Sequence, residues 1–136
     1  MGLFDFFKKD KKEKTITNSI GEFTFLKIHG ENQWKGIINS KINDKIEVLF
    51  PMENENISTY QIEYFKRIEN AWDSIFKQLL TMKPNMDFKD YKVTSMLIPD
   101  QENEVYDMDA EIVLQKGENI FSLILEDLNL DEVIED

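Results

Sequence analysis

An α+β domain, an antiparallel sheet with one long amphipathic helix packed on one face, is the fold this 136-residue sequence predicts. Three observations lead there. Short segments rich in Ile, Val, Phe and Thr recur between turn signals on both sides of a central stretch. That central stretch, after Ser58, carries large apolar residues three and four positions apart. A chain of this length also suits one core, since it buries roughly two thirds of its unfolded surface.

From Thr15 the pattern is strand-like. Ile20 to Ile28 is rich in Phe, Thr and Ile, and Gly30-Glu31-Asn32 signals a turn before a second run from Gln33 to Asn39. Asn43-Asp44 marks the next turn. Ile46, Val48 and Phe50 then alternate with Lys45, Glu47 and Leu49 until Pro51 stops the strand. The expectation is a three-stranded antiparallel meander.

Ser58 and Gln61 have the spacing of a capping box, and Ile57 and Ile62 that of a hydrophobic staple. Phe65, Ile68, Trp72, Ile75, Leu79 and Met82 form the stripe expected to face the sheet, and Pro84-Asn85 ends the helix. Tyr60 and Tyr64 fall off that stripe, either as partner contacts or as ordinary exposed helix tyrosines.

Tyr91 to Ile98 reads as a strand closed by Pro99, and Asp100 to Glu104 as a polar loop. Period-two alternation then runs from Tyr106 through Met108, Ala110 and Ile112 to Leu114. Lys116-Gly117-Glu118 supplies a hairpin turn, with Phe121, Leu123 and Leu125 returning on the core side. The expected organisation is a basic amphipathic appendage over residues 1–14, one domain over 15–126 and an acidic tail over 127–136.

Charge is strongly segregated. Asp100 to Asp136 holds thirteen acids and one base, a charge of -12 against -11 for the whole chain, while the first fourteen residues are +2. Acidity repels phosphates, so no nucleic-acid partner is expected. The absence of cysteine excludes disulfides, thiolate metal sites and a cysteine nucleophile. Met1 to Phe7 is too short, and too acidic at Asp5, for a signal peptide, so a cytoplasmic protein is expected. No Gly-rich phosphate loop, nucleophile elbow or zinc-binding helix motif is present. The expectation is a protein that is not an enzyme, with no cofactor, no metal and no catalytic residue. His29, the single histidine, reads as a turn or rim residue.

On a continuous strand, Asp107, Asp109 and Glu111 would project from one face about 7 Å apart, a comb of carboxylates. Three readings compete: a solvated face that discourages edge pairing, a surface that steers a basic protein partner, or a divalent-ion site. The ion reading fails on chemistry, because the segment from Asp100 lacks the glycine a calcium loop needs at its sixth position.

Leu3, Phe4, Phe6 and Phe7, followed by Lys8, Lys9, Lys11, Lys12 and Lys14, form a second candidate. Gly2-Leu-Phe-Asp-Phe-Phe-Lys-Lys resembles the opening of short membrane-active peptides. Each buried Phe would contribute about 2 kcal/mol and each Lys near an anionic surface about 1, before ordering costs. The competing reading packs Leu3, Phe4 and Phe7 on the domain or in an oligomer contact.

A meander with Trp34-Lys-Gly36 in its second strand, then Pro51 and a helix of the form Ser58-x-x-Gln61-x-x-Tyr64-Phe65-x-x-Ile68-x-x-Ala71-Trp72, resembles uncharacterised small bacterial domains. Those domains are grouped with the immunity proteins of polymorphic toxin systems. The resemblance spans roughly residues 20–125 and carries no functional residue across. It implies a binding role, an acidic protein capping a basic toxin. The expected function is therefore an intracellular binding protein that uses Asp107, Asp109 and Glu111 against a basic partner. The alternative is a peripheral membrane or scaffold protein anchored by residues 2–14.

Overall fold

Eight strands cross one sheet in the order in which they occur in the chain. They are β1 (Thr15–Asn18), β2 (Gly21–Ile28), β3 (Glu31–Ile38), β4 (Ile46–Pro51), β5 (Lys92–Leu97), β6 (Ala110–Lys116), β7 (Asn119–Glu126) and β8 (Asn129–Glu135), with helix α1 (Thr59–Met82) between β4 and β5. The computed structural model describes residues 14–28, 30–52 and 56–136. The basic appendage apart from Lys14, and the His29 position, lie outside the described residues.

Every neighbouring pair is antiparallel except β4 and β5, which run parallel. Parallel neighbours cannot be joined by a hairpin, so the chain must cross over one face of the sheet, and α1 is that crossover. The α+β class follows as expected, with the sheet extended at both ends. Residues 15–18 add a strand to the expected meander, their hairpin held by the Asn18 Oδ1, which accepts from the Ile20 and Gly21 N–H groups at 2.9 and 3.3 Å. Residues 129–135, expected as an acidic tail, form edge strand β8.

One row of side chains shows where the core sits. Gly36, Val48, Met96, Ile112, Leu123 and Val133 are successive cross-strand partners from β3 to β8, all on the face toward α1. Phe23, Trp34, Phe50, Phe65, Ile68, Ile75 and Leu79 belong to the same buried cluster. Gly36 is required in that layer, because a Cβ there would lie 2.7 Å from the Glu22 carbonyl oxygen and 2.8 Å from the Phe23 ring. The adjacent row, Lys35, Leu49, Leu97, Glu111, Ile124 and Glu132, lies on the face opposite α1.

Helix α1 starts as its sequence predicts. Ser58 accepts from the Gln61 N–H at 3.1 Å, and the Gln61 side chain accepts from the Ser58 N–H at 3.0 Å. Gln61 is wholly buried and does more than cap: its Nε2 donates to the carbonyls of Pro51 at 2.7 Å and Ile98 at 3.0 Å. These two carbonyls lie at the ends of the parallel pair, so one amide ties the helix start to both strands. The stripe shifts from its expected phase. Tyr64 is buried, Trp72 is half-buried against Phe76, and Met82 is exposed. Hairpins from both sheet edges reach α1: Ser19 and Ile20 share a concavity with Phe65 and Lys66, while Leu128 and Leu130 bond to Tyr64 and Gln78. A sheet that reaches a helix from both edges buries a wider arc than a single stripe provides.

Candidate functional site

The segment between β5 and β6 is held by short polar side chains rather than by strand pairing. Asn103 Oδ1 accepts from the N–H groups of Val105 and Tyr106 at 3.1 and 2.6 Å, and its Nδ2 donates to the Asp100 carbonyl at 3.0 Å. This is the local bonding by which Asn competes with regular backbone ladders. It is also why β6 begins at Ala110 although apolar and acidic residues alternate from Tyr106. The expected comb of carboxylates is thereby corrected. Asp107 is exposed in the loop and Asp109 lies just ahead of the strand. Glu111 alone of the three projects from β6, on the face opposite α1 between Leu97 and Ile124.

Asp109 has a structural task. Its Oδ2 accepts from the Asp127 N–H at 2.6 Å, and its own N–H donates to the Leu125 carbonyl at 3.0 Å. Asp127 and Leu128 form the two-residue turn between β7 and β8, and both have positive φ, 50° and 64°. Asp tolerates that conformation, whereas a residue such as Leu128 takes it up at a cost of roughly 1 kcal/mol. The Leu128 N–H donates to the Tyr64 hydroxyl at 3.1 Å. The strained turn is thus bonded at both central residues, by a carboxylate from one side and a phenol from the other.

Three tyrosines and five carboxylates share this end of the molecule. Burial raises the Tyr60 hydroxyl pKa, and the charges of Asp109, Asp100 and Asp127 raise it further, opposed by Arg67. Burial pushes Tyr64 up to about 12, and its ring lies 5.8 Å from that of Tyr60. Tyr106 is also pushed up to about 12, first by burial and then by its 2.9 Å hydrogen bond to Glu31 and the charges of Glu31 and Glu111. Each shift reports burial of a phenol first, with nearby carboxylate charge adding to it. Among the described residues the ion pairs are Lys35–Glu47 and Lys116–Asp90, and neither involves these five acids.

Sequence reasoning named Asp107, Asp109 and Glu111 but missed Glu31, Asp100, Tyr60 and Tyr106 as members of one site. Tyr106 and Glu31 are 75 residues apart, and no local motif joins them. Leu3, Phe4 and Phe7 lie outside the described residues. Among the described residues no group of three His, Cys, Asp or Glu is placed to hold a metal ion, and no helix is long and apolar enough to cross a membrane. Comparison of the chain with protein-family models, curated proteins and solved structures finds no match.

Proposed function

We propose that the protein is a non-enzymatic intracellular binding protein whose acidic, tyrosine-bearing end docks a basic surface of a protein partner, in the manner of an immunity protein capping a toxin. The observation that carries this reading is the combination at one end of Glu31, Asp100, Asp109, Glu111 and Asp127 with Tyr60 and Tyr106, none of the five acids ion-paired among the described residues. Carboxylates raise the encounter rate with a cationic surface, and phenol rings add apolar area and faces on which Lys and Arg side chains stack. Exposed Val105, 65% accessible, places an apolar side chain within the same surface.

The test is capture from a lysate of the source cells at low and high salt by the native protein and by an Asp107→Lys/Glu111→Lys variant. Asp109 is left intact because it bonds the β7–β8 turn. Salt-sensitive partners retained by the native protein and lost by the variant support the reading. Recovery of the same partners by both proteins refutes it.

A further inference from the structure

The acidic end contains a concavity of about 320 Å³, bounded by residues 30–32, by Pro51 and Met52, and by the loop from Asp100 to Tyr106. Its walls combine two properties. Pro51, Met52 and Val105 are apolar, while Glu31 and Asp100 bring carboxylates, and no Lys or Arg is among the described residues lining it. Both carboxylates are oriented in advance. Glu31 Oε2 accepts from the Tyr106 hydroxyl at 2.9 Å, and Asp100 Oδ1 accepts from Ser58 Oγ and from the Gln101 N–H, each at 2.8 Å. In each case the second oxygen receives no hydrogen bond from a described residue. The concavity therefore offers two oriented carboxylates beside apolar surface.

A ligand that fits must bring several donors on a positive head and an apolar stem. Lysine and arginine side chains both have that form, burying their methylenes while the head stays polar. Arginine fits better. Its planar guanidinium carries five donors, pairs with carboxylates through two parallel bonds and stacks on a ring such as that of Tyr106, whereas an ammonium is a compact and strongly hydrated point charge. We propose that this concavity is a socket for an arginine side chain presented by the basic partner, with its stem against Pro51, Met52 and Val105 and its guanidinium on Glu31 and Asp100. The inference rests on the docking role proposed above and names the residue type that the acidic end selects.

The experiment is an amide NMR titration of the full chain with acetyl-Gly-Arg-Gly-amide, its lysine and citrulline counterparts, and free arginine. The arginine peptide is expected to shift the amides of Gly30, Val105 and Tyr106, the lysine peptide more weakly, and the uncharged citrulline peptide not at all. Free arginine, whose own carboxylate meets Glu31 and Asp100, is expected to bind more weakly than the peptide. Glu31→Gln and Asp100→Asn keep an acceptor for Tyr106 and Ser58, so the fold is retained, and each is expected to weaken the arginine peptide about tenfold through loss of a charge-assisted bond. Equal binding of the citrulline peptide, shifts confined to other surfaces, or unchanged affinity in both variants would overturn the socket. If the socket fails while Asp107→Lys/Glu111→Lys still loses its salt-sensitive partners, docking at the acidic end stands without it. If the arginine peptide binds as described while that variant keeps its partners, the concavity still selects an arginine side chain, but docking through Asp107 and Glu111 falls.

Discussion

Replacing Gln61 by Glu should be harmless by the rules of helix capping, since either residue completes a capping box with Ser58. The structure predicts a large loss of stability. Gln61 is fully buried, with its oxygen on the Ser58 N–H at 3.0 Å and its amide nitrogen on two carbonyl oxygens at 2.7 and 3.0 Å. Gln61→Glu keeps the first bond and sets a carboxylate oxygen against both carbonyls. Two buried acceptors lose their donor, at about 1–3 kcal/mol each, and a charge is left in the core without a partner. A loss of roughly 3–5 kcal/mol at neutral pH follows, about 10–20 °C in Tm for a domain of this size. The sign with pH is definite. Burial and the two carbonyls raise the introduced carboxyl above its unfolded value of about 4.3, so the deficit is smallest near pH 4 and grows as pH rises through the folded pKa. Gln61→Met, which also lacks the donor but carries no charge, should lose stability with no such pH dependence. Urea denaturation of the three proteins from pH 4 to 8 checks this. A Gln61→Glu protein within 0.5 kcal/mol of native across that range, where uncertainty is about that size, would refute the clasp.

Tyr64→Phe should cost about 1–3 kcal/mol by removing the acceptor of the Leu128 N–H, and hydrogen exchange in β8 should accelerate more than in β3; uniform exchange across the sheet would contradict it. Gly36→Ala should destabilise by about 1–3 kcal/mol through overpacking against the Phe23 ring and the Glu22 carbonyl, measured by thermal denaturation; a neutral effect would show that this layer has room. Tyr64 and Tyr106 titrate near 12 when folded, above the ordinary value of 10.0. Their contribution is complete below pH 10 and is lost as pH rises toward 12, so denaturation midpoints should fall across that window, and less steeply in Tyr64→Phe.

The helix was legible because its signals are local: a cap three residues from its partner and a stripe that returns every turn. The β6–β7 hairpin was legible for the same reason, with Gly117 at φ 60° in the turn. Strand β8 was hidden because its turn, Asp127-Leu128, has no glycine, and because the conformation is sustained by Asp109 and Tyr64, 18 and 64 residues from the groups they bond. Tyr64 was misplaced outside the core since a helix reached by sheet edges from both sides is buried over a wider arc than a stripe implies. The start of β6 was misread because alternation of residue type runs through Tyr106 and Met108, while Asn103 bends the backbone there. The acidic character of the candidate site was visible in composition, but its membership was not. Glu31 reaches it from the β2–β3 hairpin and Asp100 from the far side of the crossover, and only the folded chain brings them to one concavity.

The parallel contact of β4 and β5 divides the chain in a way that bears on how it folds. Each set of four strands, before and after α1, is a succession of neighbours whose contacts close short loops, so each gathers native contacts quickly. The two sets meet along a seam of three paired positions, Glu47 with Ser95, Val48 with Met96 and Leu49 with Leu97, every pair 48 residues apart in sequence. Closing that seam carries the largest loop entropy of any strand pairing in the sheet, and the docking of α1, with Gln61 across both strand ends, is what accompanies it. The rate of folding should therefore respond to substitutions at the seam and at the helix start. Substitutions in β1 or β8, the first and last strands of the sheet, should instead be felt mainly in the rate of unfolding.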